Sequence, residues 1–174
     1  MSDSEHTNLA LSWIKTGKII IDKSEICSIE PGHKYAFLKS FFKSRDHSKG
    51  EKELLMHRLL GKDQSPSAEA CRAQCEASLP DQASKAKVWS EITDPGSPDS
   101  PIEKAAKMEG FYSEEQLDLC EPYFDKFFEA LSLQRRMNSY KGMCQFFHGM
   151  LPRLHVKDEY IFKLSQILYE TPDH

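Results

Sequence analysis

Gly110 to Leu131 reads GFYSEEQLDLCEPYFDKFFEAL, and the pattern of this stretch decides the fold. Leu117, Cys120, Phe124, Phe127, Phe128 and Leu131 recur at steps of one, three or four. That spacing lays one apolar stripe along a helix, which reads as the spine of a core. Ser113 and Gln116 stand in capping-box spacing, the arrangement that satisfies orphan N–H groups at a helix start. Pro122 falls inside the pattern, where it has no N–H to donate and crowds the carbonyl of Asp118. A kink or break near Cys120 is therefore expected.

Helical signals continue in both directions. Asn8 to Thr16 carries Leu9, Trp13 and Ile14 and stops at Gly17, a suitable C-cap residue. Ile19 to Ile21 is a short apolar run that reads as a docked loop. Pro31-Gly32 opens a helix from His33 to Ser44, with Tyr35, Leu38, Phe41 and Phe42 on one side. Glu51 to Leu60 packs Leu55 and Leu59, with Leu54 beside them, and Gly61 stops it. After Ser65-Pro66 comes Ala68 to Leu79, rich in Ala and Cys and suited to close helix approach. Pro80 ends that helix and Asp81 caps the next, which carries Ala86, Trp89 and Ile92. The run DPGSPDSP, Asp94 to Pro101, is a surface loop, followed by a short helix from Ile102 to Met108. Downstream of the opening stretch, Met137 to Leu151 and Lys157 to Tyr169 complete the set, with Pro152 between them.

The expectation is roughly nine helices and no convincing strand. From His33 onward the starts recur every ~12–23 residues, and two helices per ~35–40 residues is the spacing of helical-repeat arrays. The fold class is therefore all-α, with irregular helix pairs stacked as a HEAT- or armadillo-like superhelical array. An ordinary helical bundle is the competing arrangement. Residues 1–174 are taken as a single helical-repeat domain, long enough to bury a sizeable core, with residues 1–6 and 170–174 as flexible tails.

Composition narrows the function. The net charge is -4 and the pI about 6.0, so no basic nucleic-acid footprint is expected. No apolar run reaches the ~18 residues of a membrane span. The N-terminus, MSDSEHTNLAL, lacks the charged and apolar regions of a secretory signal. The 5 cysteines are scattered and form no CxxC pair, which fits reduced, buried thiols in a cytoplasmic protein.

No motif supplies chemistry. There is no HExxH, no GxSxG elbow and no phosphate-cradling glycine loop. Cys71 and Cys75 share a helix face and offer two soft ligands, with His57 the nearest third candidate. They read more simply as small residues where two helices meet. Cys144 and His148 have the spacing of a thiolate–imidazole pair. Aromatic neighbours and the lack of an orienting Asn or Asp favour packing there. Arg135-Arg136, with Lys141, offers carboxylate donors or a solvated basic turn.

A resemblance adds to this reading. Asp63-Gln64-Ser65, then an Ala-rich helix, then Pro80, Lys85 and Trp89 keep a characteristic spacing. Gly110-Phe111-Tyr112, Gln116, Leu117, Leu119, Pro122-Tyr123, Phe128 and Leu131 follow, and Gly149-Met150-Leu151-Pro152 closes the series. In order and spacing these residues resemble the C-terminal helical domain of zinc aminopeptidases of the aminopeptidase N type. Bacterial members of that clan and the endoplasmic-reticulum aminopeptidases share the domain. The match is tight from Leu59 to Pro152 and looser for Leu9 to Lys18 and Tyr35 to Phe42. Tyr112 stands where the family has Trp, and Ala68 where glycine is common.

The resemblance implies a bowl of helix pairs that packs on the catalytic domain of a metallopeptidase. There it closes the peptide chamber and controls access of substrates to N-terminal residue removal. The zinc, the HExxH motif and the exopeptidase loop belong to that missing part of the hydrolase. No catalytic, cofactor or metal residue is thus carried over to this chain. Arg135, Arg136 and Arg153 are the candidate contacts to a peptide carboxylate. Its expected partners are the aminopeptidase catalytic domain and the peptide, with no nucleic acid and no membrane. A stand-alone helical-repeat scaffold that binds a protein or peptide is the alternative.

Overall fold

The computed structural model describes residues 9, 12, 13, 16–21, 24–28, 30–137, 140–154 and 156–169; the side chains of 19–21, 24–28, 31, 135–137 and 168 are not among the described parts. The expected tails fall outside these residues. The helix expected over Asn8–Thr16 falls mostly outside them too, although Leu9, Ser12, Trp13 and Thr16 are helical. Gly17 follows with φ +72°, a left-handed position that glycine occupies without a Cβ penalty. Ile19–Ile21 then pairs rather than docks as a loop. Strand β1 (Lys18–Ile21) runs antiparallel to β2 (Ser24–Ser28), with Ile21 opposite Ser24. Three consecutive β-branched residues favour the extended backbone.

The rest of the described chain is helical. Its elements are α1 (Pro31–Lys43), α2 (Lys49–Leu60), α3 (Pro66–Ala77), α4 (Gln82–Thr93) and α5 (Pro101–Phe111), a 3₁₀ turn (Glu114–Gln116), α6 (Leu117–Cys120), α7 (Pro122–Met137), α8 (Tyr140–Met150) and α9 (Asp158–Tyr169). Their starts follow local chemistry. Ser48 and Ser100 form capping boxes with Glu51 and Glu103. Ser65 and Asp81 accept from the N–H groups of Ala68 and Ser84. Proline occupies the first turn of α1, α3 and α5.

Pro122 produces the expected break. α6 ends at Cys120 and α7 begins at Pro122 itself. The Ser113 cap does not form, because a 3₁₀ turn intervenes and Gln116 is drawn into the protein interior. The apolar stripe is buried as read, except that Leu117 is half-buried. Leu54 and Ala86 differ from expectation and face outward; the neighbouring inward positions are taken by Leu55 and by Lys85.

α1, α3, α5 and α8 form a row in which each helix packs on the next, consistent with a helical array. α2 and α4 pack on α1 and α3, and α7 on α8. One apolar cluster joins α1, α2 and α3 around Phe42 and Leu60. A larger one joins α4, α5 and the later helices around Phe111, Phe124 and Phe127.

The closest approach is between α3 and α5. A Cβ added at Gly110 would lie 2.3 Å from the Gln74 carbonyl oxygen. Gly110→Ala is therefore expected to destabilise the fold by about 1–3 kcal/mol through overpacking. Gly50, in the open first turn of α2, meets nothing within 4 Å. Gly50→Ala is expected to stabilise by roughly 0.5–1 kcal/mol. Urea unfolding of the two variants checks the opposite signs.

Candidate functional site

Several residues of the spaced series meet around Phe111, while Asp63 packs apart from them beside Tyr35. Trp89 lies 5.8 Å from the Phe111 ring and 5.1 Å from Tyr123, and Phe111 meets Tyr112 and Tyr123 edge-on, each at 5.1 Å. These are favourable aromatic geometries. Asp63 accepts from the Tyr35 hydroxyl at 2.7 Å and from the Ser65 backbone, which holds its carboxyl down at about 2. The Tyr112 hydroxyl is buried and has no hydrogen-bond partner among the described residues; burial pushes its ionisation up.

Beneath this aromatic cluster sits Lys85, fully buried at the fourth position of α4. Its ammonium donates to the carbonyls of Ala77, at 2.7 Å, and Phe111, and lies 5.2 Å from the Phe111 ring centre. Ala77 and Phe111 end α3 and α5, whose last carbonyls have no partner inside their own helices. Lys52 does the same at the fourth position of α2, donating to Phe42, at 3.0 Å, and Ser44 at the end of α1. Gln116 bridges two such ends, donating to Lys43 at 2.8 Å and Ser78 at 2.9 Å. Ser78 in turn donates to the Gly110 carbonyl at 3.2 Å. Arg72 donates to Leu60 at the end of α2, and Gln134 to Thr93 at the end of α4.

Lys52, Gln116, Arg72 and Gln134 were not identified as functional in the sequence. Two signals were available. Lys52 and Lys85 occupy positions that face the core in the helical pattern, and each stands a few residues after a helix start. Lys85 also belongs to the spaced residues of the resemblance.

A groove of about 520 Å³ runs across α2, α3, α4 and α5, floored by Phe42, Met56, Ala73 and Leu79. An ion-pair chain lines one part of it. Lys87 contacts Glu76 and Glu91; Lys107 contacts Glu91 at 2.9 Å and Asp99 at 2.7 Å. Burial alone would lower the Lys107 amine, but Asp99 and Glu91 hold it above the ordinary lysine value. The chain ties α3, α4, the loop after α4 and α5 together.

The candidate donors and nucleophiles are less concentrated. Arg135 and Arg136 end α7, and their side chains are not among the described parts. Arg153 is exposed and donates to the carbonyl of His148, capping α8. No hydrogen bond joins Cys144 to His148, whose imidazole lies edge-on to Phe147 at 5.7 Å. Cys71 and Cys75 are both buried, and the Cys75 thiol is pushed up by its hydrogen bond to Cys71 and by burial. Among the described residues no group of three or more His, Cys, Asp or Glu could hold a metal ion. No described helix is long and apolar enough to cross a membrane. Compared with known protein families and with curated proteins, the chain matches none.

The buried Lys85 amine has a measurable signature. Burial lowers it from 10.5 to about 8. Between these values the unfolded chain keeps a proton that the folded chain has released. Unfolding stability from this group therefore rises with pH through that window, by at most about 3 kcal/mol. The stability difference between the natural protein and Lys85→Met is expected to move in favour of the natural protein from pH 8 to pH 10.5. Parallel stability curves across that window would refute the assignment.

Proposed function

We propose that this chain is the non-catalytic C-terminal helical domain of a zinc aminopeptidase. It packs on the catalytic domain, closes the peptide chamber and controls which substrates reach N-terminal hydrolysis. The observation that supports this most directly is the convergence of the resembling residues. Lys85, Trp89, Gly110, Phe111, Gln116 and Tyr123 come from different elements, and each has a defined packing or capping task around the ends of α3 and α5. A chance likeness of scattered residues carries no reason for them to meet. The row of helix pairs is read as the HEAT-like superhelix of that domain, and its partners as the catalytic part and the peptide. In this reading the chain works in the cytoplasm and zinc belongs to the partner.

In this reading the chemistry comes from the partner. The nucleophile candidates lack an orienting base, and the best-connected cations are spent on helix ends. The purified chain is expected to release nothing from an aminoacyl p-nitroanilide. Supplied with a polypeptide carrying HExxH from the same source, it is expected to form a stable complex on size exclusion. The complex should discriminate between short reporters and longer peptides more strongly than the catalytic part alone. Chelator-sensitive hydrolysis by the chain alone, or no association, would overturn the reading. Capture of an unrelated protein in place of the peptidase would favour the scaffold alternative.

A further inference from the structure

A second cavity lies where the α1–α2 loop meets the turn before α4. It has a volume of about 250 Å³ and is lined by Arg45, His47, Lys49, Lys52, Leu79, Pro80 and Asp81. Its lining is rich in cations. Arg45, Lys49 and Lys52 stand with one carboxylate, Asp81, while Asp118 pairs with Arg45 from outside the lining. That carboxylate is already used, since Asp81 accepts from the Ser84 N–H at 2.8 Å as the cap of α4.

Lys52 is the unusual member. It is 1% exposed, and its two hydrogen bonds go to the uncharged carbonyls of Phe42 and Ser44. No carboxylate lies within ion-pair distance of it among the described residues. An ammonium has three donors, so one N–H remains for a further acceptor. A buried charge without a counter-ion is costly, and an anion in the adjoining cavity would supply the missing charge. Lys49 is exposed at the mouth and makes no ion pair. Arg45 pairs with Asp118 on its outer side, where both side chains are at least half exposed and solvent weakens the pair. The ring of His47 is fixed by stacking on Phe41 at 4.3 Å. Leu79 and Pro80 form an apolar wall opposite the cations.

We propose that this cavity binds a dianionic phosphate group, with Lys52 as its buried anchor and Lys49 and Arg45 closing on it from the rim. Phosphate suits a cationic lining with a free ammonium N–H, because a phosphomonoester carries about -1.5 to -2 at neutral pH and offers three acceptor oxygens. The apolar wall has room for the group to which the phosphate is attached. The site stands apart from the aminopeptidase reading and holds whether or not that reading does.

The test is a titration of the full chain at constant ionic strength, followed by amide ¹⁵N–¹H shifts. The probes are inorganic phosphate, phenyl phosphate and benzoate. Saturable shifts are expected at residues 44–52 and 79–82 with both phosphates. Lys49→Ala, a change at an exposed position, is expected to weaken binding about tenfold, the loss of one charge-assisted hydrogen bond. Glu53→Gln, outside the cavity, should leave binding unchanged. Tighter binding of phenyl phosphate assigns the site to a phosphomonoester, and equal or weaker binding to free phosphate. Shifts that do not saturate, that centre elsewhere, or whose affinity is unchanged in Lys49→Ala overturn the proposal, as does benzoate binding as tightly as phosphate.

Discussion

The structure depends on how the carbonyl ends of its helices are satisfied. Every α-helix leaves its last carbonyls without partners, and a helix that stops inside a packed array cannot leave them to water. Here side chains from other elements take them. Lys52 holds the end of α1, Arg72 that of α2 and Gln134 that of α4. Lys85 holds α3 and α5 together, and Gln116 spans the ends of α1 and α3. Each cap ties one helix to a neighbour. The same donors therefore satisfy the backbone and set the spacing of the row.

This solution has an electrostatic cost that shapes the rest of the protein. Two full positive charges, on Lys52 and Lys85, lie in the interior opposite carbonyl dipoles rather than carboxylates. The C-terminal ends of α1, α3 and α5 carry partial negative charge, which makes them suitable partners for cations. Lys107 shows the other arrangement, in which two carboxylates compensate a buried amine and bind three segments into a charged chain. The first arrangement leaves Lys52 without an ion pair beside a cavity; the second pairs Lys107 with two carboxylates along the groove.

Catalytic chemistry asks for convergent side chains with free electron pairs or free charges. The described chain spends its well-placed polar groups on architecture. Among the described residues Cys71, Cys75 and Cys120 are buried, Arg72 and Arg153 cap helices, and an aromatic cluster packs around Phe111. The residues of the resemblance were legible in the sequence as a spaced series, but their common purpose was not. Lys85 and Gly110 meet the end of α3 because α3 packs on α4 and α5, while Asp63 joins α1 at the other end of α3.

Sequence by itself determined the parts that depend on near neighbours. Ser65 and Asp81 cap helices whose N–H groups lie three residues away, Pro122 breaks the chain at its own position, and the stripe from Cys120 to Leu131 declares its buried face. Three features escaped it. Gln116 fits a capping box and yet bonds to Lys43 and Ser78. Ile19–Ile21 reads as a loop until β2 pairs with it. Lys52 and Lys85 look like ordinary surface lysines until the ends of α1, α3 and α5 are placed beside them. The physical reason is the direction of the helix. N-terminal donors are satisfied by a side chain within the first turn, which local sequence encodes. In this chain most of the C-terminal acceptors described above are satisfied across the fold, and only the tertiary structure chooses the residue that reaches them.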